Sequence, residues 1–396
     1  MSKMISSFFE RGRFALALRT ARSLLGGAAG LEQPREPYVQ GVTAFSAVIC
    51  WVSEHPGSGV VEYGKTPELG RKQTDPRVRR RHVVALAGLD PGSTYHYRVG
   101  GVGESSSKGT LRTAPADDSC FSFAVIGDSG SGGKGQLAVA ALLERLRPDL
   151  VLHTGDVVYP AGQERHYDRR FFAPYRNLIK TVPLFPVLGN HDVREGNGAT
   201  FLENFHPPLV SPGGTKRYYS FDWGNTHFVA LDSELYHGDM GSDPEEQRDF
   251  LERDLATTRK HWKIVFLHRS PYGSSRHGGD EKVREDLEPL FVRHEVDLVF
   301  SGHDHVYERT VPIRGVTYVV SGGGGRRLYP AGDSELTASS VSAHHAVLVR
   351  VSGRRLSLEA VEVGGKVVDR LELYQPHAKR PSREDSARNR FEHTSQ

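Results

Sequence analysis

The alternation of apolar and polar residues changes near residue 117, and the change predicts two kinds of domain. Within 31–116, apolar residues alternate with polar ones over short stretches such as 47–52, separated by turn signals such as Asp90-Pro91-Gly92. Short alternating runs with frequent turns are typical of an all-β sandwich. Within 117–375, strand-like apolar runs alternate with helical periodicity, which predicts an α/β domain.

Four segments of the α/β region are predicted to be helices. The first ends before Pro148, and the second lies between Gln163 and Lys180. The third has Asp243 as N-cap with Pro244 in the first helical position and extends to about Arg259. The fourth is marked by the helically spaced residues Val283, Leu287, Leu290 and Phe291.

The two termini differ from both domains. Residues 1–30 form a basic leader whose apolar residues recur with the spacing of an amphipathic helix. Arg19 and Arg22 interrupt the apolar stretch that a secretory signal needs. Packing on the protein itself, targeting and contact with a membrane surface all stay open for this leader. Residues 376–396 are charged, lack apolar periodicity and are predicted to be disordered.

The composition excludes several classes of protein. A net charge of +3 over 396 residues is too small to indicate binding of nucleic acid. Two cysteines exclude a disulfide scaffold and a cysteine-rich zinc module. Cys50 and Cys120 leave a single disulfide open as an alternative, and we expect two unrelated thiols. No apolar run approaches the roughly 18 residues of a transmembrane helix.

Five apolar runs of the α/β region end in side chains that can bind a metal ion. The central run, Val151–Gly155, is followed by Asp156 and, three residues later, by Tyr159. Ligands bind outside the carboxyl ends of strands in α/β sheets, so we expect the five groups to meet. The other runs deliver Asp128, then Asn190 with His191, then His268, and finally His303 with His305.

The residue types in these groups predict a dinuclear metal site. Carboxylate, phenolate and imidazole donors suit iron, manganese and zinc, and Asp156 can bridge two ions. Two metals about 3.5–4 Å apart stabilise the attacking and leaving oxygens of an in-line phosphoryl displacement. Taken singly, a Gly-Asp pair is usually a turn and His268 could be a core histidine. The complete set, in this order, is what indicates the site.

A glycine-rich segment, Gly130–Gly135, offers a competing interpretation. It matches the G-x-G-x-x-G pattern of dinucleotide-binding folds, with Asp156 about 20 residues later. Asp128 would place a second negative charge against the pyrophosphate, however, and the other motifs would be unexplained. A P-loop is excluded because Gly135 replaces the required Ser or Thr. We interpret these glycines as a tight turn that gives access to substrate.

At these five motifs the sequence resembles the calcineurin-like metallophosphoesterase superfamily, and within it the purple acid phosphatases. Asp128-Ser-Gly130 lacks the histidine that most of the superfamily carries two residues after the aspartate, and Tyr159 supplies the phenol used by this branch. The resemblance covers about 120–375 and implies two packed β-sheets flanked by helices. Residues 31–116 resemble the fibronectin-III-like domain that precedes many such catalytic domains.

The resemblance also implies roles for individual residues. The first metal is expected to be iron(III), for which phenolate is a hard donor, and the second a divalent zinc, manganese or iron ion. His191 and His277 would bind substrate oxygens and help to protonate the leaving group. Arg276 would bind phosphate or face water. The first metal would be held by Asp128, Asp156, Tyr159 and His305, and the second by Asp156, Asn190, His268 and His303.

The implied function is a phosphomonoesterase of the acid phosphatase type, in which a metal-bound hydroxide attacks a small-molecule phosphate ester in line. A phosphodiesterase or nucleotide pyrophosphatase would use the same site. A non-catalytic metal-binding or cell-surface module is the alternative from another class. The chain has no N-x-[ST] sequon, which fits a bacterial-type enzyme. Secreted, periplasmic or membrane-peripheral locations are slightly favoured over the cytoplasm, and the oligomeric state stays open.

Overall fold

The computed structural model describes residues 33–100, 107–208, 214–238 and 243–375. The predicted leader, 1–30, and the predicted disordered tail, 376–396, lie outside these residues. The described residues from Arg35 onward belong to one compact unit. Within the described ranges, no helix is long and apolar enough to cross a membrane.

The N-terminal region is a five-stranded antiparallel sheet, as its alternating pattern predicts. The strand β2 is long: its first part pairs with β1, and its second part pairs with β4. The pairing of β2 with β3 has a register shift between Val52 and Gly57, at the junction of these two parts. The sandwich architecture stays a prediction, because these strands share one hydrogen-bonded sheet. The strands are β1 (Arg35–Gln40), β2 (Ser46–Gly64), β3 (Arg71–Ala87), β4 (Thr94–Gly100) and β5 (Ser107–Arg112).

Two mixed sheets form the α/β region. The six-stranded sheet has the order β18-β17-β16-β6-β7-β8 and consists of β6 (Phe121–Ile126), β7 (Leu150–His153), β8 (Leu184–Pro186), β16 (His345–Ser352), β17 (Arg355–Glu362) and β18 (Val367–Tyr374). The seven-stranded sheet has the order β15-β13-β14-β12-β11-β10-β9 and consists of β9 (Tyr219–Trp223), β10 (Thr226–Ala230), β11 (Trp262–Phe266), β12 (Leu298–Ser301), β13 (Tyr307–Thr310), β14 (Thr317–Ser321) and β15 (Thr337–Val341).

The two sheets pack face to face through an aromatic core. Phe123 of β6 lies edge-on to Phe228 of β10, with ring centroids 5.2 Å apart. The same ring also packs edge-on against Phe300 of β12, at 6.1 Å. All three rings are fully buried. The packing brings the carboxyl ends of the parallel strands in both sheets to one region.

Helices cover the sheets, and the four predicted helical segments are all present. The segment between Gln163 and Lys180 is divided by a π-helical turn, Asp168–Phe172. Asp243 caps its helix as predicted, because its side chain accepts a hydrogen bond from the backbone N–H of Glu245. The helices are α1 (Lys134–Leu146), α2 (Glu164–Tyr167), α3 (Ala173–Ile179), α4 (Ala199–Asn204), α5 (Pro244–Thr257) and α6 (Glu281–Arg293).

Candidate metal centre

Three of the predicted ligands lie in tight turns just after strands. Asp128, Asp156 and His303 have φ angles of 56°, 54° and 69°, which is the left-handed region that residues with a Cβ rarely adopt. A glycine precedes each of them in the sequence. At Gly302, a Cβ would lie 2.5 Å from an Oδ of Asp128, so only glycine permits this approach of two ligand loops.

One group of donor atoms surrounds Asp128. The Tyr159 hydroxyl donates to Asp128 Oδ1 at 3.0 Å and lies 3.1 Å from His305 Nε2. His305 Nε2 is 3.4 Å from Asp128 Oδ1. Atoms bonded to one ion at about 2.0–2.2 Å lie roughly 2.8–3.6 Å from one another. The three side chains therefore have the spacing of ligands that share a metal.

A second group lies around His268. Its Nε2 is 3.0 Å from Asn190 Oδ1 and 3.6 Å from Asp156 Oδ1. The ring of His303 packs edge-on to the ring of His268, with centroids 5.0 Å apart. Ligand atoms of Asp128, Asp156 and His268 all fall within 4.8 Å of one another. The two groups are therefore adjacent, with Asp156 between them.

The hydrogen bonds of the histidines leave their inner nitrogens available to a metal. The Nδ1–H of His268 donates to the Thr154 carbonyl at 2.8 Å, and that of His305 donates to the Arg327 carbonyl at 2.7 Å. Each Nε2 then carries its lone pair toward the site. Burial lowers the pKa of His268 well below its usual value, which keeps the imidazole neutral for metal binding.

The buried charge of the site calls for a cation. Asp128 and Asp156 are almost fully buried. Across the described ranges, the ion-pair partners of these carboxylates are histidines, with no lysine or arginine. Burial raises the pKa of Asp128 to about 6, although its contact with His305 opposes the rise. Buried carboxylates require a compensating charge, and bound metal ions would supply it.

The predicted substrate-binding histidines lie on opposite sides of the two groups. The ring of His191 is 4.4 Å from the ring of Tyr159, and its Nε2 is 3.9 Å from Asp156 Oδ2. The exposed ring of His277 is 4.2 Å from the ring of His303. The structure thus brings all seven predicted ligands and both histidines together. Their roles in binding and catalysis stay predictions.

Two buried aspartates that the sequence analysis did not single out hold these loops in place. Asp192 accepts hydrogen bonds from the backbone N–H groups of Val157, Val158 and Gly189, at 3.0–3.1 Å. Asp304 accepts from the backbone N–H of His277 at 3.0 Å. Asp304 lies between the predicted ligands His303 and His305, and Asp192 follows the predicted substrate-binding His191, so adjacency to predicted site residues was the available signal.

The segment after β14 also lies along the ligands. The backbone N–H of Arg326 donates to the Asp128 carbonyl at 2.9 Å, and its guanidinium lies 4.7 Å from the centre of the Tyr159 ring. The ring of Tyr329 stacks on that of His305, at 4.1 Å. The preceding Gly322–Gly325 also lies at the metal site, because a Cβ added at Gly322 would be 2.9 Å from Asp128 Oδ2.

Comparison with known proteins finds a family model that matches part of this chain and several relatives. Residues 121–307 match the family described as calcineurin-like phosphoesterase. Purple acid phosphatase 21 of Arabidopsis thaliana is 29% identical over 302 residues, which cover 68% of this chain and 66% of the relative. An uncharacterized protein of Mycobacterium tuberculosis is 28% identical over 297 residues, or 65% of this chain and 55% of that protein. The chain thus spans less than two thirds of the length of these curated relatives.

A solved structure has the same fold over most of the chain. The purple acid phosphatase from yellow lupin seeds matches with a TM-score of 0.75 at 22% identity, covering 87% of this chain and 75% of that one. This shared fold, with mixed sheets and helices, fits the predicted metallophosphoesterase domain, and residues 121–307 within it match the family model. The fibronectin-III-like character of residues 31–116 stays a prediction.

Proposed function

We propose that this chain, which contains a calcineurin-like metallophosphoesterase domain and has purple acid phosphatase relatives, is a metal-dependent hydrolase of phosphate esters. The observation that carries the proposal is the meeting of two donor groups at Asp156. Their carboxylates are buried without a lysine or arginine partner among the described residues. Such a site is suited to cations and to a phosphate that neutralises them.

We infer that the site takes two ions, iron(III) and a divalent zinc, manganese or iron ion. Burial, and then the charges of Asp128 and Asp156, raise the pKa of Tyr159 well above its usual value. Converting this phenol to phenolate therefore needs a strongly charged hard cation, which favours a trivalent ion beside it. The bound metals would supply Lewis-acid polarisation of the phosphoryl group and of an attacking water.

The iron assignment has a direct spectroscopic test. Protein loaded with iron should absorb visible light through charge transfer from the Tyr159 phenolate to iron(III). Tyr159→Phe removes the phenolate oxygen and retains the ring, so we expect the band to disappear while the fold is kept. A band of equal intensity in Tyr159→Phe would contradict the assignment of this residue as a ligand.

His191 and His277 would bind the substrate from two sides. The Nδ1–H of His191 donates to the Pro160 carbonyl at 2.6 Å, which directs Nε2 toward Asp156 and the site. His277 lies on the solvent side of His303, where an exposed imidazole can reach a phosphate oxygen or the leaving-group oxygen. A histidine in this position can protonate the departing alkoxide.

We favour phosphomonoesters over diesters as substrates. Arg276 and Arg326 lie beside rings of the site, at 4.9 Å from the Tyr329 ring and 4.7 Å from the Tyr159 ring. These guanidinium groups add positive charge that suits a dianionic monoester better than a monoanionic diester. A phosphodiesterase or nucleotide pyrophosphatase using the same site remains the alternative within this chemistry.

A non-catalytic role is the alternative from another class. The solved structure of GAP50, the anchor in the inner membrane complex of Plasmodium, matches this fold with a TM-score of 0.56 at 20% identity, covering 66% of this chain and 90% of that one. The ligands alone would be enough to hold metal in such a module. His191 and His277 lie beside the ligands and would not be needed to hold metal. Their presence therefore favours an enzyme over a non-catalytic module.

The test is hydrolysis of p-nitrophenyl phosphate and bis(p-nitrophenyl) phosphate by the full chain with iron plus zinc or manganese. We expect faster turnover of the monoester and at least a hundredfold loss in Asn190→Ala, which removes one oxygen donor. Asp249→Ala, an exposed change on α5, is the control and should leave turnover unchanged.

Each other outcome would change a different part of the proposal. Faster turnover of the diester would retain the site and change the function to phosphodiesterase. Two bound metals without turnover of either ester would overturn the enzyme proposal in favour of the binding module. Turnover retained in Asn190→Ala would overturn the assignment of this ligand.

A further inference from the structure

A second cavity opens beside the metal centre. It has a volume of about 510 Å³ and is lined by Ser274–Arg276 and by Arg327–Gly332. The second lining segment is tied to the metal site, because the Tyr329 backbone N–H donates to the His305 carbonyl at 3.2 Å. A group in this cavity would therefore be next to a phosphate bound at the centre.

Two arginines give the cavity its charge. Arg276 and Arg327 both line it, and both are exposed. Within the described ranges, neither guanidinium forms an ion pair with a carboxylate. Glu308 pairs with neither arginine and accepts hydrogen bonds from the N–H and hydroxyl of Ser274, a lining residue, at 3.0 and 2.7 Å. The cavity thus presents two positive charges whose hydrogen bonds are available to a ligand.

The aromatic wall of the cavity favours an anion over a flat ring. Tyr329 is already stacked on His305, with centroids 4.1 Å apart and planes 18° from parallel. The Arg276 guanidinium also lies over the Tyr329 ring, at 4.9 Å from its centre. A nucleobase could stack on this ring only by displacing one of these groups. A phosphate could bind both guanidinium groups and leave the stack intact.

We propose that this cavity binds a second phosphate group carried by the leaving group of the substrate. The preferred substrates would then be small esters with two phosphates, one at the metal centre and one held by Arg276 and Arg327. This inference rests on the proposed phosphoesterase function and specifies its substrate class. The two arginines would then select substrates with two phosphates over substrates with one.

The experiment compares fructose 1,6-bisphosphate with fructose 1-phosphate, which has the same sugar and one phosphate fewer. In the metal-loaded full chain, kcat/KM should be higher for the bisphosphate. In the double variant Arg276→Gln with Arg327→Gln, the ratio of the two kcat/KM values should fall about tenfold or more. Arg355→Gln, which removes an exposed arginine paired with Glu372, is the matched control and should leave the ratio unchanged.

Binding provides a readout that does not depend on turnover. In calorimetric titrations of protein without added metal, the double variant should bind fructose 1,6-bisphosphate about tenfold more weakly than the unchanged chain does. The proposal would be overturned if the unchanged chain and the double variant had the same ratio of kcat/KM values and the same affinity for fructose 1,6-bisphosphate. Hydrolysis of both sugars without selectivity would leave the phosphoesterase function standing and refute the second phosphate site. Failure to hydrolyse either sugar or p-nitrophenyl phosphate would refute the function itself.

A comparison of two diphosphates tests whether the cavity recognises a nucleobase. Adenosine diphosphate and pyrophosphate both have leaving groups that carry phosphate, but only the first has a base. Loss of kcat/KM for both in the double variant is expected from phosphate recognition. A loss confined to adenosine diphosphate would show that the cavity recognises the nucleoside, and it would overturn our assignment.

Discussion

Backbone strain is concentrated at the proposed ligands. A residue with a Cβ in a sparsely populated backbone region costs of order 1–3 kcal/mol, and Asp128, Asp156 and His303 are all in the left-handed region. Two hydrogen bonds to other loops hold Asp128, because its N–H donates to the Gly155 carbonyl and its carbonyl accepts from the N–H of Arg326. The ligand types and the glycines before them can be read directly from the sequence. It does not predict this strain, which depends on contacts between distant loops.

His227 is a buried histidine away from the metal centre whose charge should affect stability. Its two ring nitrogens each lie 2.8 Å from a carboxylate, Asp222 on one side and Asp254 on the other. Burial alone would lower the pKa of His227, but the hydrogen bonds and charges of the two aspartates raise it to about 9. Lys260 also faces Asp222, at 3.6 Å, and Ser220 donates to Asp254.

The raised pKa predicts a loss of stability at alkaline pH. The folded state holds the His227 proton more tightly than the unfolded chain does, so the contribution is complete below pH 6.5 and disappears as the pH rises through 9. A shift of this size corresponds to roughly 3 kcal/mol. We expect about 2 kcal/mol, because Asp222 is half-exposed and water screens the pair.

Urea denaturation of the unchanged chain and of His227→Gln at pH 6 and pH 10 measures this contribution. The unfolding free energy of the unchanged chain minus that of His227→Gln should be about 2 kcal/mol smaller at pH 10 than at pH 6. His294→Gln, which removes a histidine with the single carboxylate partner Glu252, should show a smaller change between the two pH values. A difference for His227→Gln that is the same at both pH values would disprove the proposed charge on this ring.

At the scale of single elements, the sequence predicted the site better than it predicted the sheets. The five ligand-bearing strands are short, buried and apolar, and their ends carry recognisable polar residues. The hairpin of β17 and β18 was not predicted because charged residues alternate along its exposed face. The π-helical turn Asp168–Phe172 was not predicted either, since its hydrogen-bond pattern depends on tertiary packing.

Asp192 connects two of these elements, and its removal should loosen both ligand loops. The loops after β7 and β8 carry Asp156 and Asn190, and the Asp192 carboxylate accepts three backbone N–H groups from them. An unsatisfied buried donor costs about 1–3 kcal/mol. We therefore expect Asp192→Ala to lower the unfolding free energy by about 3 kcal/mol or more and to reduce metal content.

Asp249→Ala on α5 again serves as the control, because this aspartate is exposed and its nearest basic partner, Arg253, is 3.9 Å away. Denaturation and metal analysis of both variants test the prediction. Normal stability of Asp192→Ala would show that water replaces the carboxylate. Normal metal content in a destabilised Asp192→Ala would show that the ligand loops keep their geometry without it.

At the scale of the whole molecule, the N-terminal sheet and the α/β region share buried polar contacts. Arg35 of β1 donates to Asp168 Oδ1 at 2.8 Å and to Asn204 Oδ1 at 2.7 Å. Its guanidinium also lies 3.5 Å from the centre of the Phe172 ring. The sequence predicted two regions, but it contained no signal for this contact, because the partners are more than 130 residues apart.

The apolar core is also continuous between the two regions. Val39 and Tyr97 of the N-terminal sheet belong to the same buried cluster as Phe185 and Phe221 of the two α/β sheets. Burial of a shared apolar core couples the folding of the parts that contribute to it. The described chain should therefore unfold in one transition, although the sequence indicates two domains.

Arg35→Met tests how strongly the buried polar contacts contribute to this coupling. Removing one partner of a buried ion pair costs about 3–5 kcal/mol, and because Asp168 is one-third exposed we expect about 3 kcal/mol. Arg355→Met, which removes an exposed pair with Glu372, should cost no more than about 1 kcal/mol. Calorimetry should show one transition in both variants, at a lower temperature in Arg35→Met. Two separate transitions in Arg35→Met would mean that this arginine, more than the shared apolar core, couples the N-terminal sheet to the α/β region.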